Sequence, residues 1–235
     1  MASIKTILLT VLLSGLLVAA LVYAIDSNRS QNDLSLDQDA LGEWSGPYIE
    51  EEQQLMSAVA SNPMNPTARI TTNRGIITLE LFADQMPITT DNFISLAKSG
   101  FYNETKFHRV IEGFMIQGGD PNSKGDNEAL YGRGGPDTNV QDEFVAGELL
   151  TNVRGTIAMA NSGQPNSGGS QFFINLVDNT GLDFDKEPFT SKHPVFGRVI
   201  DGMDVVDAIG SVETKERDIP IDPVIVESIE IIENQ

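Results

Sequence analysis

The stretch GFMIQGGD at residues 113–120 decides the fold of this 235-residue chain. Side chains alternate along a β-strand, so Phe114, Ile116 and Gly118 are predicted to face one way and Met115 and Gln117 the other. Such a segment is typical of a strand with one face packed on a core. Its other face then offers apolar surface beside an uncharged amide.

Further short strands are predicted on both sides of this stretch. In the clearest one, residues 75–82, Ile77, Leu79 and Leu81 share a face. The other strand-like runs are 107–110, 155–160, 171–176, 195–200 and 224–232. Many short strands with few helices favour a closed barrel or a sandwich over alternating βαβ units.

Two helices are predicted among these strands. Thr89 or Thr90 is expected to cap the first, and Gly100 to end it. The second is expected at residues 203–209, where Val205 pairs with Ile209 before Gly210 ends the helix.

Composition excludes several functional classes. The chain has no cysteine and two histidines, which rules out thiol catalysis, disulfides and a histidine-rich metal site. Its formal net charge of -19 argues against binding to nucleic acid, because phosphate contacts require clustered positive charge. The hydrophobic fraction of 40% is sufficient for a substantial core.

The N-terminal segment predicts membrane targeting. Residues 7–25 read ILLTVLLSGLLVAALVYAI, without a charge, with Lys5 before them and Asp26 after them. This length matches the roughly 30 Å hydrocarbon thickness of a bilayer, and the flanking charges place the following chain outside the cytoplasm. The uninterrupted length favours an uncleaved transmembrane anchor over residues 1–25. The alternative is a signal peptide cleaved near Ala24, which would leave a secreted protein.

Residues 26–66 are predicted to form an acidic, flexible tether, and residues 67–235 the folded domain. The tether carries eight acidic residues against Arg29 alone, and its apolar residues are sparse.

Five separated blocks carry a family resemblance: FHRV at 107–110, GFMIQGGD at 113–120, AMAN at 158–161, GSQFFI at 169–174 and HPVFG at 193–197. In this order they resemble the cyclophilin family of peptidyl-prolyl cis-trans isomerases. The resemblance spans residues 67–235. It implies a mainly β fold, a closed eight-stranded antiparallel barrel capped by two helices, with the prolyl peptide bound on the outer face.

The resemblance also implies site residues. Arg109 is similar to the catalytic arginine, and Gln117 to the glutamine that orients it. The groove that grips the substrate backbone is matched by Ala160, Asn161 and Gln171. The proline pocket is matched by Phe114, Met115, Phe173 and Leu182, with His193 on the rim.

One segment departs from the family pattern. Gly181 stands where many members have tryptophan, and residues 186–191 lengthen the following loop. We therefore expect weak or no cyclosporin binding.

These residue types suit rotation about an X-Pro bond, which needs no nucleophile, metal or cofactor. Rotation gives the prolyl nitrogen lone-pair character, and a guanidinium beside it would stabilise the twisted state. The predicted partners are proline-containing polypeptides, unfolded or exported, together with the membrane. The alternative is a proline-peptide binding module or assembly factor whose turnover is incidental.

Overall fold

The computed structural model describes residues 64–233. Two α-helices are present there: α1 spans Pro87–Lys98 and α2 spans Met203–Gly210. The strands are, in chain order, β1 (Thr67–Thr72), β2 (Gly75–Leu81), β3 (Thr105–Lys106), β4 (Arg109–Ile111), β5 (Met115–Gly118), β6 (Thr156–Met159), β7 (Phe172–Asn175), β8 (Val195–Asp201), β9 (Thr214–Lys215), β10 (Ile219–Pro220) and β11 (Ile225–Ile232).

Nine of these strands form one antiparallel sheet in the order β3-β11-β1-β2-β8-β6-β7-β5-β4. Its two edge strands, β3 and β4, are joined by Phe107 and His108 alone, so the edges lie within about 10 Å of each other along the chain. The sheet therefore curls strongly. The prediction of a closed eight-stranded barrel needs correction. In the described residues the sheet has nine strands, and no hydrogen-bonded ladder joins β3 to β4.

Aromatic side chains fill the interior of the curled sheet. Phe93 of α1 lies with its ring centroid 5.2 Å from that of Tyr102, 5.3 Å from Phe196 and 5.7 Å from Phe172. All four side chains are fully buried. Each such burial contributes about 1.5–3 kcal/mol, so this cluster fixes α1 against the sheet. The interior is filled, and a ligand must therefore bind on the outside.

The first helix begins earlier than the sequence predicts. Pro87 is its first residue, and Thr89 and Thr90 are buried within its first turn rather than capping it. The Glu143 carboxylate accepts the backbone N–H groups of Ile88 at 3.1 Å and of Thr89 at 2.8 Å. The cap therefore comes from a residue more than fifty positions away, which local spacing cannot reveal. The helix ends before Gly100, which adopts a left-handed φ of 73°, as predicted.

The second helix also differs in its buried face. Val206 and Ile209 are fully buried, whereas Val205 is only partly buried and packs on Gly75. The helix follows Gly202, whose φ is 82°. A Cβ at Gly202 would lie 2.2 Å from the Ile76 carbonyl oxygen, so only glycine permits this close approach to β2.

Two strand predictions need correction near the site. The predicted strand 107–110 is divided, because Phe107 and His108 connect β3 to β4. Phe114 lies outside β5, in the turn closed by its N–H and the Ile111 carbonyl, so strand alternation does not set its direction. Phe114 and Met115 border the same cleft on the outer face, so the prediction that they face opposite ways is wrong.

Within residues 64–233, no helix combines the length and apolarity needed to cross a bilayer. The predicted anchor at residues 1–25, and all but the last three residues of the predicted tether, lie outside the described residues.

Candidate functional site

A cleft of about 260 Å³ opens on the outer face of the sheet, over β5 and β7. On β5, Ile116 and Gly118 pack inward against the core, so Met115 and Gln117 point to the cleft. The lining residues are Arg109, Phe114, Met115, Gln117, Ala160, Asn161, Phe173, Leu182 and His193. Nine of the ten predicted site residues thus come together from segments that are far apart in sequence.

The base of this cleft is apolar. Met115 and Phe173 expose 2% and 5% of their surface, and the His193 ring meets Phe173 edge-on with centroids 5.4 Å apart. The His193 backbone N–H donates to the Leu182 carbonyl at 3.0 Å, which holds the two sides of the notch together. A notch of this kind fits a small apolar ring such as that of proline.

His193 is held as a neutral rim residue. Burial lowers the pKa of its imidazole, and Nδ1 lies 3.1 Å from the Met159 carbonyl oxygen. A carbonyl only accepts, so Nδ1 carries the proton and donates it to Met159. The neutral ring therefore adds an apolar edge to the notch rather than a second charge.

Arg109 stands at the edge of the notch on β4, directly across from Gln117 in the strand register. Among the described residues that line the cleft it is the one arginine or lysine, and no carboxylate lines it. The Gln117 amide donates to Gln171 Oε1 at 3.0 Å, whereas Arg109 Nε pairs with Asp218 Oδ2 at 3.2 Å. Within residues 64–233, Arg109 is therefore hydrogen-bonded to Asp218, and Gln117, the residue predicted to orient it, is bonded to Gln171 instead.

Gln171, the tenth predicted residue, lies in an adjoining cleft of about 420 Å³ that shares Gln117, Ala160 and Asn161 with the first. Its amide donates to the Gly134 carbonyl at 2.8 Å. The far wall of this second cleft is formed by residues 132–136 together with Asn139, Ser162, Ser167, Gly169 and Ser170. None of the predicted site residues lies in this wall, although the glycines at 132, 134 and 135 were a signal for it in the sequence.

Gly134 allows that wall to fold closely over the buried Asp120. A Cβ at Gly134 would lie 2.1 Å from Asp120 Oδ1. The Asp120 carboxylate also accepts the N–H groups of Gly132, Arg133 and Asn122, the last at 2.8 Å. One buried carboxylate therefore organises the loop that faces Gln171.

A second buried carboxylate, Asp183, supports the notch from below. It accepts the backbone N–H of Asn152 at 2.8 Å and the Asn152 amide at 2.7 Å, and it also binds Thr151 and Lys186. Burial alone would raise the pKa of Asp183, but these donors outweigh it and the pKa is lowered. Asn152 in turn donates to the His193 carbonyl at 3.0 Å, so Asp183 fixes both Leu182 beside it and His193.

His108, which precedes Arg109, does not line the notch. It is buried against Tyr131, and burial lowers the pKa of its imidazole. Within residues 64–233, no cluster of three or more histidine, aspartate or glutamate side chains is arranged to hold a metal ion.

Comparison with known proteins agrees with this geometry. Residues 67–231 match the profile of the cyclophilin type peptidyl-prolyl cis-trans isomerases. The chain is 43% identical over 160 residues to the human peptidyl-prolyl cis-trans isomerase-like 1, covering 68% of this chain and 88% of that protein. It is also 43% identical over 169 residues to peptidyl-prolyl cis-trans isomerase B of Escherichia coli, covering 69% and 97%.

Solved structures show the same similarity. A cyclophilin type peptidyl-prolyl cis-trans isomerase of Cryptosporidium parvum superposes with a TM-score of 0.61 at 34% identity, covering 73% of this chain and 99% of that one. A second structure of that protein, determined in the presence of the dipeptide Ala-Pro, gives a TM-score of 0.60 at 35% identity, covering 72% and 99%.

Proposed function

The chain belongs to the cyclophilin-type peptidyl-prolyl cis-trans isomerases, which act on proline-containing peptides, and we propose the following roles for the residues of its outer groove. Arg109 is the catalytic group. Phe114, Met115, Phe173 and Leu182, with His193 on the rim, hold the proline ring. Gln117, Ala160, Asn161 and Gln171 bind the backbone of the residues beside it.

The observation that supports this assignment is a single cation at the edge of an apolar notch. In the planar X-Pro amide the nitrogen lone pair is delocalised, and the barrier to rotation is about 18–20 kcal/mol. As the bond twists, the lone pair localises on the nitrogen and becomes a hydrogen-bond acceptor. Arg109 can then donate to it, which stabilises the twisted state more than the planar one.

The apolar notch supplies the other half of the mechanism. Met115 and Phe173 are almost fully buried, so they form a fixed surface for the proline ring. The ring stays in place while the chain on the other side of the bond turns. Every 1.36 kcal/mol of preference for the twisted state gives about a tenfold rate increase, so no covalent step is needed.

The groove beside the notch supports binding of an extended peptide. Gln117 and Gln171 are joined to each other by a hydrogen bond, and both line the larger cleft together with Ala160 and Asn161. These side chains are uncharged, so they can pair with backbone amides without selecting a charged side chain. This arrangement fits an enzyme that acts on many sequences.

A protease-coupled isomerase assay tests the catalytic role of Arg109. The purified chain, Arg109→Ala and the control Arg69→Ala are compared on a proline peptide. Arg69 is exposed on β1, which does not line the cleft, so its loss removes the same charge elsewhere. We expect Arg109→Ala to lose most of the activity and Arg69→Ala to retain it. Equal rates for all three would leave the binding-module alternative as the better description.

The proposed site of action is outside the cytoplasmic membrane, on exported polypeptides. The support is the uncharged run at residues 7–25, followed by an acidic tether at 26–66 and the domain at 67–235. Membrane fractionation with intact-mass analysis distinguishes an anchored chain from one cleaved near Ala24. A full-length chain recovered in the soluble fraction would contradict the anchor.

Weak cyclosporin binding is proposed from Gly181. The position of its missing side chain lies 3.6 Å from Pro188 Cδ, and no indole is available there to contact a ligand. Titration of the chain and of Gly181→Trp with cyclosporin tests this. Tighter binding by the variant is expected, and tight binding by the unmodified chain would contradict it.

A further inference from the structure

Arg109 stands between two open spaces. On one side is the proline notch, and on the other is a cleft of about 300 Å³ that Arg109 lines together with His108, Arg217 and Asp218. The Arg109 side chain is 43% exposed, so packing alone does not choose between the two directions. A long side chain in such a position loses rotamer freedom only when a specific partner holds it.

Asp218 is that partner, and the atom it binds matters. Its carboxylate accepts from Arg109 Nε at 3.2 Å. Within residues 64–233, the two terminal nitrogens of the guanidinium make no hydrogen bond. An aspartate bound to Nε therefore fixes the plane of the guanidinium while leaving its terminal N–H groups for a substrate.

The turn that carries Asp218 is itself held in an unusual conformation. Arg217 and Asp218 have φ values of 68° and 60°, a left-handed region that costs energy in residues other than glycine. Long-range contacts offset this cost: the Arg217 guanidinium donates to the carbonyls of Glu128 at 2.7 Å and Tyr131 at 2.9 Å. Lys215 adds an ion pair to Glu128 at 2.8 Å. The surrounding contacts thus impose this turn on the chain.

From this geometry we infer that Asp218 is a positioning residue for catalysis: the Lys215–Asp218 turn holds the Arg109 guanidinium over the proline notch. The inference rests on the proposed catalytic role of Arg109. The carboxylate also opposes the positive charge of Arg109, but both side chains are more than two-fifths exposed and water screens this effect. Orientation is therefore the larger contribution, and removing Asp218 slows the enzyme.

The kinetic test compares the full-length chain with Asp218→Ala, Asp218→Asn and Glu216→Ala. Glu216 is exposed in the same turn, so its variant removes an equal charge without touching Arg109. Asp218→Ala lowers kcat about fivefold with KM within twofold, because the proline pocket is untouched. Asp218→Asn keeps an acceptor for Nε and stays within about twofold of the original rate. Glu216→Ala is unchanged.

A spectroscopic measurement on the unmodified chain supplies a readout that a merely structural role would not move. The Arg109 Nε–H signal in ¹⁵N-correlated NMR exchanges with water more slowly than that of the exposed Arg69. Exchange of Arg109 becomes as fast as that of Arg69 in Asp218→Ala and stays slow in Asp218→Asn. The measurement on the unmodified chain needs no variant, so it tests the Arg109–Asp218 contact even when Asp218→Ala folds poorly.

The outcomes separate this inference from the proposed function. Full activity of Asp218→Ala beside an inactive Arg109→Ala overturns the positioning role and leaves the catalytic role intact. Full activity of both variants overturns the catalytic role. A higher kcat for Asp218→Ala would show that the carboxylate restrains Arg109, which overturns the positioning role. Fast Arg109 Nε–H exchange in the unmodified chain would show that the Arg109–Asp218 hydrogen bond is not maintained, which overturns it as well.

Discussion

Replacing Asp183 by alanine tests whether the buried network beneath the notch supports both stability and binding. The side chain is 3% exposed and accepts four donors, two of them from Asn152, which is fully buried. In the variant the Asn152 amide keeps the His193 carbonyl as acceptor, but the Asn152 backbone N–H has none. Thr151 and Lys186 are partly exposed and can turn to water.

The expected destabilisation follows from those contacts. An orphaned buried N–H costs about 1–3 kcal/mol, and the lost charge-assisted bonds add about 1 kcal/mol after the carboxylate's own desolvation is subtracted. The total is about 3 kcal/mol. For a domain of this size each kcal/mol lowers Tm by about 2–4 °C, so Tm is expected to fall by about 6–12 °C.

Asp183→Ala is also expected to weaken substrate binding more than it slows turnover. Leu182 adjoins Asp183, and Asn152 holds His193, so both sides of the notch loosen while Arg109 keeps its own partner. KM should rise severalfold with a smaller change in kcat. Differential scanning calorimetry and steady-state isomerase kinetics at temperatures well below Tm measure the two effects separately.

The matched control is Lys186→Ala, which removes only the solvent side of the network. The Lys186 side chain is 43% exposed, and an ion pair of this kind contributes about 0–1 kcal/mol. At about 2–4 °C per kcal/mol, its Tm should therefore change by no more than about 4 °C. An Asp183→Ala variant as stable as the original chain would contradict this prediction. So would a Lys186→Ala variant that is destabilised as much as Asp183→Ala.

Three further predictions concern pH, the α1 cap and the wall of the larger cleft. Burial lowers the pKa of His193, so the unfolded chain binds a proton at this imidazole more readily than the folded chain, and the free energy of unfolding should fall as pH drops below about 6.5. Urea unfolding at pH 7.5 and 5.5 should show a smaller decrease in this free energy for His193→Asn than for the original chain. Glu143→Ala should lower stability by about 1 kcal/mol through loss of the α1 cap, measured by urea unfolding, and an unchanged midpoint would contradict this. Gly134→Ala should cost about 1–3 kcal/mol because its Cβ meets Asp120, whereas Gly135→Ala, with open space around it, should unfold at the original urea concentration.

Strand periodicity predicted most of the fold because it reports burial directly. The alternation of Ile77, Leu79 and Leu81 corresponds to three fully buried side chains on β2, and the runs around β5, β7 and β11 agree with the structure within a residue or two. Short or edge elements were missed. The two-residue strands β3, β9 and β10 contain too few positions for a period, and β1 was not identified from its alternation.

Long-range contacts explain the remaining errors. Thr89 and Thr90 fit a local capping pattern, but Glu143 satisfies the free N–H groups of α1 from a distant loop. Asp218 is 109 positions from Arg109, and nothing in its local sequence distinguishes it from other surface acids. The residues that line the notch were identified only through the order of five blocks, since Phe114, Met115 and Phe173 each fit an ordinary core pattern.

The catalytic role of Arg109 is tested most directly by measuring binding and turnover of one proline peptide on the same samples. Exchange NMR at equilibrium gives the cis-trans rate, and titration of the same samples gives Kd. For Arg109→Ala we expect a Kd within a few-fold of the original, because the apolar notch is intact, and an exchange rate about a hundredfold lower. An Arg109→Ala chain that interconverts the peptide at the original rate would show that Arg109 is not the catalytic group.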